Sequence, residues 1–200
     1  MHFKSNNTYH KRNFGSIECI VGPMFCGKTT ELLRRVNLSR IAKLNVRLYK
    51  PAMDKRYSID KACTHDNVQA DSQLVDDADD VQKSLEKEQD RIHVVAIDEI
   101  QFIRGKIVEV CAQLRDQGIR VIAAGLDMDF RRQPFGEIGN LMAIADEVIK
   151  LKAVCQDCGE NASFSKRLTQ SQEVVQVGGK EEYAAVCEAC YIKPKEESNG

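Results

Sequence analysis

A chain of 200 residues with 42% hydrophobic and 30% charged side chains can form one compact α/β domain plus a small appendage. None of its apolar runs approaches the roughly 20 residues that a bilayer crossing requires. The formal net charge of −1 lacks the basic excess of general nucleic-acid binders and favours a small-molecule substrate.

Residues 1–15 are polar, with no apolar h-region, and are expected to be a disordered tail rather than a signal peptide. Ser16–Val21 is a predicted strand in which Ile17, Cys19 and Val21 alternate with their neighbours. Gly22-Pro23-Met24-Phe25-Cys26-Gly27-Lys28-Thr29 then matches GxxxxGK[ST]. Phosphate oxygens need several backbone N–H donors converging on them, and glycines let the chain turn tightly enough to supply them. Lys28 adds a cation for the β/γ-phosphates, and the Thr29 hydroxyl can bind Mg²⁺. A helix is predicted from Thr29, with Leu32, Leu33, Val36 and Ile41 as its apolar stripe, so its positive N-terminus faces the anion. The bland alternative is a glycine turn with an incidental lysine, which the strand-loop-helix context disfavours.

Val46–Tyr49 is short and apolar, and Pro51 stops it. Ala52–Asp66 has no clear period and is expected to be a loop, and acidic, amphipathic Asp71–Asp90 a surface helix. Ile92–Ile97 (IHVVAI) is nearly continuous in apolar residues, as in a strand buried on both faces of a parallel sheet. Asp98 and Glu99 follow directly. An acid at such a strand end can hold Mg²⁺, which suits Asp98, and Glu99 could take a hydroxyl proton as general base. Alone, two solvated carboxylates would be an equally good reading; the phosphate loop favours the functional one. Gln101 is grouped with the phosphate-binding residues. Lys106–Gln117 has helical spacing and is closed by Gly118, and Arg120–Ala124 reads as another buried strand. Alternating strands and helices imply parallel βαβ units.

Near Lys150 the pattern changes to turns, a hairpin-like segment and two CxxC pairs. The expected organisation is a P-loop α/β domain at 16–150, a small zinc-bound lid domain at 151–192 and a tail at 193–200. Cys155/Cys158 and Cys187/Cys190 are separated by 28 residues, and two such knuckles complete a tetrahedron around a structural Zn²⁺. Buried unrelated cysteines or redox pairs are the weaker alternatives. A metal site rather than disulfides implies a reducing compartment, most simply the cytoplasm.

GPMFCGKTTELLRR, MDKRYS, CTHD, IDEIQF, GLDMDFRRQPFG, LKAVCQDCG, FSKRL and VVQVGGKEEY-x3-C-x2-C occur here in one order. In that combination the chain resembles thymidine kinases of the animal and bacterial type, from about Gly15 to Tyr191. The resemblance implies phosphoryl transfer from ATP·Mg²⁺ to the 5′-hydroxyl of thymidine or deoxyuridine, with Glu99 as the base. It places Asp54 and Arg56 near the phosphates and the reacting hydroxyl; on sequence grounds alone both read as surface charges. It turns Met24, Phe102, Leu126, Phe130 and Phe135 from core candidates into a base pocket. It assigns Ser165, Val174, Val175, Gln176, Val177, Gly178 and Tyr183 to a segment covering thymine, largely through main-chain atoms. Homotetramers inhibited by thymidine triphosphate are a further expectation.

Two departures stand out: Cys26 where the family usually has serine, and Phe164 where tyrosine is frequent. A thiol beside Lys28 and a helix N-terminus is expected to have a lowered pKa and to be reversibly oxidised by peroxide unless ATP is present. Competing readings are a P-loop kinase of another small acceptor, a zinc-ribbon ATPase driven by nucleic acid, and a zinc scaffold with a dead nucleotide site. Intact Lys28, Thr29, Asp98 and Glu99 argue against the last.

Overall fold

The computed structural model describes residues 14–52, 72–169, 179 and 181–193. A six-stranded sheet runs in the order β3-β2-β4-β5-β1-β6. Its members are β1 (Ser16–Val21), β2 (Val46–Pro51), β3 (Ser72–Val75), β4 (Val94–Ile97), β5 (Arg120–Gly125) and β6 (Glu147–Lys150). Every neighbouring pair is parallel.

Both faces of the central strands are covered, which explains their continuous apolar runs. Ile17, Cys19 and Val21 of β1 and Val121 and Ala123 of β5 enter one core, with helices α2 (Ala78–Glu86), α3 (Ile107–Asp116) and α4 (Ile138–Ile144) packed over it. Ile20, Ile122 and Ala124 point the other way and meet Leu32 and Val36 of α1 (Lys28–Ile41). A fully buried side chain of this kind contributes about 2 kcal/mol. On the α1 face Glu18 is buried and receives Arg35 from α1 and Arg120 from β5, while Arg35 also reaches Glu31 at 2.9 Å and Glu147 at 3.2 Å. This network ties α1 to three strands.

Beyond β6, two antiparallel pairs form: β7 (Ala153–Val154) with β8 (Asn161–Ala162), and β9 (Phe164–Arg167) with β10 (Tyr183–Val186). Helix α5 (Glu188–Ile192) follows. Ala153, Cys155, Ala162, Ala184, Ala185, Val186 and Cys190 form a separate apolar cluster there.

The predicted strands at 16–21, 92–97 and 120–124 and the predicted helices from 29 and at 106–117 are present within two residues at their stated ends. The expected helix over 71–90 is corrected. Its first part is the strand β3, paired to β2 in the register Leu48↔Ser72 to Pro51↔Val75, and the helix begins at Ala78 behind an Asp77 cap. Asp77 accepts the Asp80 N–H and satisfies one free donor of the first turn. Much of the expected 52–66 loop and both expected tails lie outside the described residues. Among the described residues no helix is long and apolar enough to cross a membrane.

Candidate active site

An all-parallel sheet sends the carboxyl ends of its strands to one edge, where ligands of such folds bind. Here that edge collects the loop after β1, Lys50 from β2, Asp98 and Glu99 after β4, Leu126 and Asp127 after β5, and Lys150 from β6.

The loop Gly22–Thr29 turns through left-handed backbone at Gly22 (φ 144°), Phe25 (φ 65°) and Gly27 (φ 85°). A Cβ on Gly22 would lie 2.4 Å from the Leu151 carbonyl oxygen, so only glycine fits there. α1 starts at Lys28 with its free N–H groups turned to the loop. Lys28 is buried, and its Nζ donates to the Pro23 carbonyl at 2.8 Å. The Thr29 hydroxyl donates to both Asp98 carboxylate oxygens, at 3.0 and 3.2 Å, so the two expected metal-binding side chains do meet. Two hard oxygen donors at one point suit Mg²⁺. Lys50, which sequence reading missed, stands 3.7 Å from Asp98 Oδ2. Its position next to the strand-ending Pro51 was the available signal.

Glu99 is half-buried with a left-handed backbone (φ 49°). Its Oε2 accepts from Gln101 Nε2 at 2.6 Å, and Gln101 Oε1 in turn accepts the Leu126 N–H at 3.0 Å. Phe102 and Phe135 pack edge to face at 5.3 Å. The segment between Asp127 and Phe135 is folded back on itself by the buried Asp129, whose Oδ1 accepts the N–H groups of Arg131 and Gln133 at 2.8 and 2.9 Å. Asp127 is buried and pairs with Lys150 at 2.6 Å. Neither aspartate was singled out from sequence.

The cysteine-bearing region grips this edge. Ser165 Oγ accepts the Met24 N–H at 2.9 Å, joining β9 to the phosphate loop. The Arg167 guanidinium lies 3.8 Å from the centre of the Phe130 ring and donates to the Tyr183 hydroxyl at 2.5 Å. Tyr191 donates to the Phe130 carbonyl at 2.7 Å, and Arg132 stacks on Phe164 and Tyr191 at 4.5 and 5.2 Å while pairing with Glu188 at 3.1 Å. Arg132 and Arg167 lie within the strings GLDMDFRRQPFG and FSKRL, yet neither they nor Tyr191 were given a role from sequence; their contacts become visible only once β9, α5 and the loop are assembled. Asp54, Arg56 and Val174–Gly178 lie outside the described residues.

The thiols of Cys155, Cys158, Cys187 and Cys190 lie within 4.8 Å of one another, with Cys158 and Cys187 3.6 Å apart. Four thiolates around Zn²⁺ would stand about 3.8 Å from each other, given Zn–S bonds near 2.3 Å, so the donor set fits a closed tetrahedral zinc site. Cys26 departs from expectation. Burial is the larger influence and pushes its thiol up, against the pull of Lys28, opposite to the lowered pKa expected from sequence. Cys19 and Cys111 are pushed up to about 12 by burial and are inert core thiols.

A glycine-rich loop at a helix N-terminus facing a Thr–Asp pair and a glutamate just beyond β4 defines a P-loop nucleotide-binding α/β protein with a four-cysteine cluster. The thymidine kinase family profile matches residues 15–191, and the chain belongs to that family. It is 46% identical over 188 residues to a thymidine kinase of Porphyromonas gingivalis, covering 94% of this chain and 90% of that one. A Bacteroides thetaiotaomicron thymidine kinase is 42% identical over 195 residues, covering 98% and 96%, and one from Mycoplasma mycoides 40% over 197 residues, covering 94% of each. These matches do not favour the ribbon ATPase or a kinase of another acceptor.

Proposed function

We propose that this chain transfers the γ-phosphoryl group of ATP to the 5′-hydroxyl of thymidine or deoxyuridine, giving the 5′-monophosphate and ADP. The observation that carries the reading is the shared sheet edge, where the phosphate loop, the Thr29–Asp98 pair and the Glu99 carboxylate converge. The loop amides of Gly22–Thr29 and Lys28 hold the triphosphate. Thr29 and Asp98 would hold Mg²⁺, which offsets phosphate charge when bound.

Glu99 takes the 5′-OH proton as that oxygen bonds to the γ-phosphorus. The bond from γ-phosphorus to the β,γ-bridging oxygen breaks, and ADP leaves with that oxygen. Lys28 and Arg56 offset charge on the moving group, with Asp54 close by. Catalysis of this kind is positioning plus electrostatics. Met24, Phe102, Leu126, Phe130 and Phe135 enclose the base, and Ser165, Val174–Gly178 and Tyr183 cover it. The four cysteines would hold zinc as a structural clamp on that cover, with one zinc per chain expected by elemental analysis.

On the family resemblance we further expect a cytoplasmic homotetramer inhibited by thymidine triphosphate, which light scattering and an inhibitor titration would check. An acceptor panel with labelled ATP tests the substrate: thymidine and deoxyuridine should be phosphorylated at least tenfold faster than ribonucleosides. Equal rates across the panel would refute the assignment.

A further inference from the structure

Gln101 lies two residues beyond Glu99, inside the short 3-10 helix Ile100–Phe102, and is only 6% exposed. Both ends of its carboxamide are engaged, Nε2 with Glu99 Oε2 and Oε1 with the Leu126 N–H. The partners fix which way the amide faces. A carboxylate can only accept and a backbone N–H can only donate, so a flipped amide would meet a like group at each end.

Leu126 directly follows β5, the strand between β4 and β1. The carboxamide therefore ties the Glu99 side chain to the strand that separates it from the phosphate loop. Room for this tie exists because residue 125 is glycine: a Cβ there would stand 2.5 Å from Gln101 Oε1 and 3.0 Å from Ile100 Cγ2. Glu99 depends on such a tether. Its left-handed backbone lies two residues beyond the end of β4, directly before the 3-10 helix, and among the described residues no other side chain bonds its carboxylate.

We propose that Gln101 is a positioning residue for the phosphoryl acceptor: its carboxamide, anchored on the Leu126 N–H, aims the Glu99 carboxylate at the hydroxyl to be deprotonated. The inference rests on Glu99 being the general base. Its rival is a direct contact of Gln101 with the ATP phosphates.

The test compares two variants. Gln101→Leu removes both hydrogen bonds. Gln101→Glu keeps an acceptor for the Leu126 N–H, and with it the fold, but turns an oxygen toward Glu99 where a donor stood. Both should lower kcat for thymidine phosphorylation by roughly 10- to 100-fold, the range for losing a hydrogen bond to a charged group. KM for ATP and thymidine should stay within about twofold. In a Glu99→Gln background, adding Gln101→Leu should cost less than about threefold, because the group being aimed is already gone.

A kcat within twofold of wild type in Gln101→Glu, or a tenfold rise in the ATP KM with kcat retained, would overturn the proposal. So would an equal kcat loss in both backgrounds, which marks a merely structural side chain. Should Gln101→Leu fail to fold, by its melting curve, Gln101→Glu decides. Glu99→Gln keeping wild-type turnover would instead refute the base assignment itself, an outcome separate from these.

Discussion

Asp98 and Thr29 come from distant parts of the chain, yet their oxygens lie 3.0 and 3.2 Å apart. Replacing Asp98 by Asn leaves the hydrogen bond possible but removes the negative charge that a hard divalent cation requires. Asp98→Asn should raise the Mg²⁺ concentration for half-maximal activity by tenfold or more in a metal titration; an unchanged titration would remove Asp98 from the metal site. Sequence alone reached Asp98 and Glu99 because a charged pair directly after an apolar strand run is conspicuous. It did not single out Lys50, and it grouped Gln101 with the phosphate-binding residues rather than with Glu99. Their roles lie in where a side chain ends up across neighbouring strands, and no local spacing encodes that. Cys26 failed for a related reason: the lysine beside it was legible in the sequence, but the burial that outweighs the lysine was not.

Among the elements, the long apolar strands and the helices with clear stripes were legible at their true positions. β3 was not. Its residues Gln73 and Leu74 are exposed at the sheet edge, so it lacks the burial pattern that marks a strand, and only pairing with β2 makes it one. β6, with three of four residues exposed, escaped for the same reason.

The contact between the cysteine-bearing region and the Phe130 loop leads to a specific expectation. Arg132→Ala deletes the stacking on Phe164 and Tyr191 and the pair with Glu188. It should raise the thymidine KM by roughly three- to tenfold with the ATP KM unchanged, since stacked and paired cations of this kind contribute about 1 kcal/mol. Equal rises for both substrates in steady-state kinetics would contradict this.

The Glu18 network has a stability consequence. Burial raises the Glu18 carboxyl, but the hydrogen bonds and charges of Arg120 and Arg35 outweigh it and hold the group below its ordinary value. Arg34 and Arg35 hold Glu31 down to about 2. A depressed carboxyl stabilises the fold at pH values above its unfolded pKa, and that stability is lost as pH falls through the folded pKa. Thermal melts should therefore weaken between about pH 4.5 and about pH 2. Glu18→Gln, which leaves Arg35 and Arg120 without their shared partner, should cost about 3 kcal/mol at neutral pH and flatten that acid limb. An unchanged acid limb would show the network to be irrelevant to stability.

For the whole molecule, parallel pairing does the organising. It sets five strand ends along one edge and so assembles the phosphate loop, the Thr29–Asp98 pair and the Glu99 carboxylate, Thr29 and Asp98 being 69 residues apart in the chain. The sheet class, the phosphate loop and the four-cysteine cluster could all be read from motifs with fixed spacing. The grip of β9 and α5 on the loop after β5 could not, because it is written in single arginines and tyrosines with no period.

The most direct test is ³¹P NMR of ATP, Mg²⁺ and thymidine with the wild-type chain and with Glu99→Gln. The wild type should give thymidine 5′-monophosphate and ADP in equal amounts, and Glu99→Gln should slow this by roughly 10²- to 10⁴-fold, the usual loss of a general base. Inorganic phosphate appearing without the monophosphate, or undiminished turnover in Glu99→Gln, would contradict the account.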